Sequence, residues 1–454
     1  MDQTTRLIAD FAASLSFDEL PEHVVRAATQ YLVDSLGCAI AAYDCAPASI
    51  GRRLARGRAP ERYAGRILGY GERSAAEAAA FVNSAMIRNL DWNDQYPGGH
   101  PSDCLGAFLA IAEAAEADGS RLISALVVAY ELFIRLNDAT GLRLKGWDQG
   151  FVIGICTAAG VGHLLRLSPR KLGEAIAIVA VASLPLRNTR AGELGRWKGV
   201  ATAFAARDGT YAALLAAEGM TGADRPFEGK HGLMDLVTGP FELEPLPGPG
   251  GGRFRTAEVQ LKYWPVAYNI QLAVWAALEL RAQVDWRELE SIDVGTHHFS
   301  FLESGSEPEK WDPQTRETAD HSLPYVFART LVDGTLGLAA FDEAAYRDPS
   351  LRPLMRKIRV RDDAEMNALY PDTVAMSVEA TTSDGRRVAY QRRDPLGHSQ
   401  NPLRDEDVQA KFLGIAEPVL GADGARTALQ RWWESPTIRD VYEALDLLNA
   451  AAAR

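Results

Sequence analysis

The stretch EPLPGPGGGRF, Glu244 to Phe254, divides this 454-residue chain into two patterns. Proline and glycine punctuate local structure, so the run marks a loop or boundary. On its N-terminal side, apolar residues recur at three- and four-residue spacing, as the buried face of a helix requires. In ELPEHVVRAATQYLVDSLGCAIAAY, Pro21 stands near a helix start, where its missing N–H costs nothing. In SPRKLGEAIAIVAVAS, Ser168 is placed to cap a helix that opens with Pro169. Abundant alanine, the best helix former, reinforces the pattern. On the C-terminal side the pattern is mixed. YNIQLAVWAALELRAQ and HSLPYVFARTLVDGTL keep the helical period, whereas LESIDVGTHHFS, MRKIRVRDD and TVAMSVEATTSDGRRVAYQRR alternate as strands do. Ser383-Asp384-Gly385 lies between two alternating runs, which is a hairpin signal. From DEDVQAKFLGIAEPVLG onward the helical period returns. The expected fold is mainly α: a large helical domain over 1–262, a small α/β domain over 263–400, and a return to the helical domain over 401–454.

Bulk composition excludes several functions. Hydrophobic residues make up 47% and charged residues 24%, the balance of an ordinary globular protein with a large core. A formal net charge of -12 argues against general nucleic-acid binding, which needs a basic face. An anionic substrate must therefore be drawn by a local cluster of Arg and Lys. The N-terminal MDQTTRLIADFAASLSFDEL lacks a basic region followed by an apolar core, so no secretory signal is expected. The longest apolar stretch, AIAIVAVASLPL, is too short to span a bilayer. Cys38, Cys45, Cys104 and Cys156 show no CxxC spacing, which disfavours a zinc site, an iron–sulfur cluster and a disulfide framework. A reducing cytoplasm is the simplest compartment.

Four stretches could carry chemistry. In NLDWNDQYPGGHPSD, Asp91 and Asp94 would share a face if the preceding helix extends that far. His100 opens the next helix, where the positive end of the dipole favours a neutral imidazole. Alternatively, the acids merely cap backbone amides and the histidine is structural. In LPLRNTRAGELGRWKGVATAFAARDG, Arg187, Arg190, Arg196 and Lys198 crowd a loop before a helix, as a polycarboxylate site requires. A solvated basic face is the commoner fate of such clusters. Lys198 stands apart, because Trp197 and an apolar helix flank it and suggest a partly buried amine. In PEKWDPQTRETADHSLPYV, Asp320, His321 and Ser322 precede a helix bearing Tyr325; here capping and core roles weigh equally. In LKYWPVAYNIQ, Lys262, Tyr268, Asn269 and Gln271 surround a helix start. No Walker A loop, Rossmann fingerprint or serine nucleophile elbow occurs, so the chemistry most compatible with these residues is cofactor-free proton transfer.

Taken in order, YLVDSLGCAIAA, NLDWND…GHPSDCLG, WKGVATAFAARDGTYAALLAAEGMTGADRPFEGKHG, LKYWPVAYNIQ, PEKWDPQTRETADHSLPYV and GHSQNPLRDEDVQAKF resemble the MmgE/PrpD family. The resemblance implies a large all-α domain, a smaller α/β lid domain, a homodimer and no required metal or cofactor. It further implies that Asp91 and His100 belong to a cleft between the domains, that Lys198 matches the lysine of WKG, and that Tyr325 matches the tyrosine after HSLP. Two departures stand out. Asp148 and Gln149 lie where relatives often carry a histidine, and Gln271 stands about where the family's decarboxylases have one. The implied activity is a hydro-lyase removing water from a tricarboxylate such as 2-methylcitrate. Isomerisation, epimerisation, decarboxylation of a related polycarboxylate, or carboxylate binding without turnover are the alternatives. In this scheme His100 and Asp91 form the acid/base pair, with Asp91 orienting the imidazole. Lys198 and Arg190 hold carboxylates, Tyr325 donates a proton or hydrogen bond, and Asp94, Arg187, Gln271 and His321 complete the substrate contacts.

Overall fold

The computed structural model describes residues 1–248 and 251–450. Pro249 and Gly250 of the boundary loop, and 451–454 of the expected C-terminal return, lie outside the described residues. The chain is mainly helical and divides into two compact units. The larger comprises Met1–Asn188, Gly199–Gln260 and Arg404–Arg454; the smaller comprises Thr189–Lys198 and Leu261–Leu403.

In the larger unit, capping residues set several helix starts. The Asp2 side chain accepts from Thr5 N before the helix Gln3–Ser14, Asp118 from Arg121 N before Gly119–Thr140, and Ser168 from Lys171 N before Pro169–Ala182. Small residues let the central helices approach closely. A Cβ on Gly106 would collide with the backbone of Ser84, in the helix Ala76–Asn89, and one on Gly209 would collide with the Gly154 carbonyl. Substituting either glycine would separate helices whose packing is that of a solid. A short antiparallel hairpin, β1 (Ala64–Arg66) and β2 (Arg73–Ala75), interrupts the helical series. Strands this short carry too little alternation to be read from sequence. Asn83, fully buried, ties the hairpin to the helices: it accepts from Leu68 N and donates to the carbonyls of Arg66 and Gly106.

The smaller unit is built on a mixed sheet of order β4-β3-β5-β6. Here β3 is Leu289–Thr296, β4 Ile358–Asp362, β5 Ala375–Thr382 and β6 Arg387–Arg393. β3 runs parallel to β4 and antiparallel to β5, with Val294 opposite both Val360 and Val378. β5 and β6 form the expected hairpin, and Gly385 supplies the positive φ (85°) of its turn. Ile292, Val294, Ile358 and Val378 bury one face in a core shared with the helices Gln271–Gln283 and Leu323–Asp333. The segment Thr189–Lys198 joins this unit although it lies among larger-unit helices in sequence. Leu194 N donates to Thr318 Oγ1 (3.0 Å), Thr315 Oγ1 donates to the Leu194 carbonyl (2.8 Å), and Thr318 Oγ1 donates to Glu193 (2.8 Å). Among the described residues, no helix is long and apolar enough to cross a membrane.

Candidate active site

In the larger unit the Asp91–His100 loop forms a buried cluster. The helix Ala76–Asn89 ends before Asp91, whose φ of 50° is uncommon for a residue other than glycine. Asp91 and Asp94 therefore share no helix face, contrary to the sequence expectation. Arg88, in the last helical turn, donates from Nη1 to Asp91 Oδ1 at 2.5 Å, and its Nε lies 3.8 Å from Asp103 Oδ2. All three side chains are essentially inaccessible, so the arginine supplies the charge a buried carboxylate requires. His100 Nε2 lies 3.9 Å from Asp91 Oδ1, too far for a hydrogen bond. The contact that orients the imidazole comes instead from the main chain: Nδ1 meets the Asp94 carbonyl at 2.6 Å. This corrects the expectation that Asp91 orients the ring. A carbonyl can only accept, so Nδ1 carries a proton in this contact, and Nε2 is the ring nitrogen on the side of Asp91.

Two further residues hold the loop. Asp94, fully buried, accepts from Ser102 Oγ (2.5 Å) and from Ser102 N (3.2 Å to each oxygen). Burial pushes its carboxyl up to about 7, opposed by the Ser102 and Tyr130 hydroxyls and reinforced by the charge of Asp103. Gln149 Oε1 accepts from His100 N at 2.6 Å. Gln149 thus fastens the backbone of the catalytic candidate. Its neighbour Asp148 accepts from Gly150 N at 3.0 Å, within the first turn of the helix Gly150–Leu164.

The smaller unit holds a second cluster. Lys198, at the end of the short turn Arg196–Gly199, is 2% exposed, with Nζ 3.3 Å from His321 Nδ1 and 3.9 Å from Asp320 Oδ1. His321 Nδ1 lies only 2.5 Å from Asp320 Oδ1. A carboxylate there accepts, so the closer contact assigns a His321 proton to Nδ1. Arg316 Nη1 stands 3.7 Å from Asp320 Oδ2. Glu317 is pushed up by burial and by the charge of Asp320. Ser322, the next residue, caps the helix Leu323–Asp333 by accepting from Tyr325 N at 3.1 Å.

Other expected site residues are placed in packing roles. Tyr325 is fully buried in the smaller unit's core, and its hydroxyl donates to the Ala340 carbonyl. Gln271, 1% exposed, accepts from Trp264 N (3.0 Å) and donates to the carbonyls of Trp264 (2.8 Å) and Val266 (3.1 Å), so all its amide atoms pin one turn of chain. Arg187 and Arg190 lie half-buried at the two ends of a short turn. Sequence reasoning missed Arg88 as the partner of Asp91 and Asp103 as the second carboxylate beside that arginine. The signal was present in the i, i+3 spacing of Arg88 and Asp91.

A mainly helical chain that buries a carboxylate beside one histidine and a lysine beside another defines a candidate acid/base catalyst. Residues 6–246 match the MmgE/PrpD N-terminal domain and residues 264–435 the MmgE/PrpD C-terminal domain, so the chain belongs to the MmgE/PrpD family. It is 26% identical to a cis-aconitate decarboxylase of Aspergillus terreus over 98% of this chain and 96% of that one. It is 26% identical to the cis-aconitate decarboxylase of Homo sapiens, over 78% and 75% of the two chains. To the 2-methylcitrate dehydratase of Escherichia coli it is 25% identical, over 71% of each. These relatives are lyases.

Proposed function

We propose that the protein is a lyase acting on a tricarboxylate, removing water from a substrate of the 2-methylcitrate type. The observation that carries the proposal is the His100 ring, oriented by the Asp94 carbonyl at Nδ1 with Nε2 3.9 Å from buried Asp91. For a β-hydroxy acid the difficult step is taking the carbon-bound proton beside a carboxylate. In the proposed mechanism His100 Nε2 takes that proton, the electron pair forms the carbon–carbon double bond as the C–O bond breaks, and the imidazolium returns its proton to the departing hydroxyl, which leaves as water. Asp91, held by Arg88, stabilises the imidazolium that forms. Lys198, with Arg190 and His321, holds carboxylates as charge develops. Lys198 and Arg190 oppose the overall charge of -12, which would otherwise repel a trianion.

A second reading is decarboxylation of an unsaturated tricarboxylate. It is favoured by the near full-length alignment with the A. terreus decarboxylase, against 71% coverage for the dehydratase. Both are tested by incubating chelator-treated protein with the stereoisomers of 2-methylcitrate, citrate and cis-aconitate. Ultraviolet absorbance follows the conjugated alkene, and mass spectrometry separates loss of water from loss of carbon dioxide. Dehydration of 2-methylcitrate supports the first reading, and carbon dioxide release from cis-aconitate the second. Turnover restored only by added metal ion would transfer the chemistry to a cation, and silence with every substrate would remove the lyase assignment.

A further inference from the structure

The helix Asp405–Trp433 reaches back to the Asp91–His100 loop through one side chain. Lys411 Nζ donates to the main-chain carbonyl of Trp92 at 2.7 Å, pairs with Asp34 Oδ1 at 2.6 Å, and lies 5.1 Å from the centre of the Trp92 ring. The Lys411 side chain is 8% exposed and that of Asp34 0%. An ammonium group is costly to bury unless it is paired and hydrogen-bonded; Asp34 supplies the opposite charge and the Trp92 carbonyl accepts a hydrogen bond.

The residues around Trp92 are restrained in turn. Arg88 holds the Asp91 carboxylate; Asn93 Nδ2 donates to Ser102 Oγ and Asp103 Oδ1; Asp94 holds Ser102 with its side chain and His100 with its carbonyl. Gln95 exchanges two backbone hydrogen bonds of 2.7 Å with Gln260. Gln260 is the last larger-unit residue before the chain enters the smaller unit, and Lys411 follows shortly after it returns. Both connecting segments thus fasten the loop that bears the proposed acid/base pair.

We infer that Lys411 is a positioning residue for that pair: by holding the Trp92 carbonyl it fixes the left-handed backbone of Asp91 and, through Asp94, the direction of the His100 ring. The inference rests on the acid/base reading above. Three variants test it in the full chain: Lys411→Met, Lys411→Arg, and Asp34→Asn/Lys411→Met, which removes both buried charges and keeps the test usable if the single variant fails to fold.

Hydrogen exchange should show protection of the 91–96 amides falling by about 10-fold or more in each variant, with the helix Gly119–Thr140 unchanged. On the substrate that the wild type turns over, kcat should fall by about 10- to 100-fold with KM within about threefold, as misplacement of catalytic groups does. That loss should disappear in an Asp91→Asn background, because two changes acting through one group are not additive. Unchanged exchange at 91–96 would overturn the inference whether or not the protein is active. Additive losses of kcat would overturn the link to Asp91. A loosened loop in a protein that turns over no tricarboxylate would support the anchoring by Lys411 and sink the lyase reading instead.

Discussion

Replacing Asp94 by asparagine should abolish a pH dependence of stability that the wild type carries. The carboxyl is fully buried and pushed from its ordinary 3.8 up to about 7, chiefly because burial penalises its charge. Ser102 and Tyr130 favour the anion, Asp103 opposes it, and Tyr31 and Cys104 also feel its charge. The folded state keeps a proton that the unfolded chain releases near pH 4. The stabilisation is therefore fully present below pH 3.8 and is lost as pH rises through about 7. The whole interval corresponds to about 4 kcal/mol, and the part between pH 5 and pH 8 to about 2.5 kcal/mol. The amide of the Asp94→Asn variant resembles the protonated acid, keeps an oxygen for Ser102 and does not ionise. Urea unfolding of both proteins, following the transition of the larger unit, should give similar stabilities at pH 5 and a variant more stable by about 2 kcal/mol or more at pH 8. Parallel pH profiles for wild type and variant would refute the reasoning, because they would mean that Asp94 folds as an anion.

Three further changes probe the placement of other residues. Gln149→Leu leaves the buried His100 N–H without its acceptor; it should cost about 1–3 kcal/mol in urea unfolding and lower kcat, whereas normal kcat would show that Gln149 does not position the loop. Tyr325→Phe should lower stability by about 1 kcal/mol with turnover nearly intact; a hundredfold loss of kcat at unchanged melting temperature would return the tyrosine to the chemistry. Glu131→Ala strands buried Arg135, paired at 2.5 Å, and removes the acceptor of Arg255 N and Thr256 N. It should destabilise by about 3–5 kcal/mol, seen as a large drop in melting temperature, and an unchanged melting temperature would show that the pair contributes little.

How far the sequence could be read depended on the range of the forces involved. Helices capped by Ser168 and the hairpin turning at Gly385 are local decisions, and local signals disclosed them. The β1/β2 hairpin was too short to show alternation, and the membership of Thr189–Lys198 depends on Thr315 and Thr318, more than a hundred positions away. At the site, sequence pattern and family resemblance singled out Asp91, His100, Lys198 and His321, and the structure gives each a charged neighbour within 4 Å. Residue type alone could not separate them from Gln271 and Tyr325. A buried amide satisfied by Trp264 and Val266 looks the same in sequence as one aimed at a substrate. Lys411 was invisible for a further reason: its partner carbonyl lies 319 positions away, and a main-chain acceptor leaves no mark in residue type.

The most direct test of the central claim is single-turnover kinetics of His100→Gln against wild type on the tricarboxylate that the wild type converts, with circular dichroism to confirm the fold. The account predicts a fall of about 100-fold or more in the chemical step, as loss of a general base produces, with the melting temperature little changed. Wild-type rates in that variant would take the proton-transfer role from His100 and contradict the mechanism.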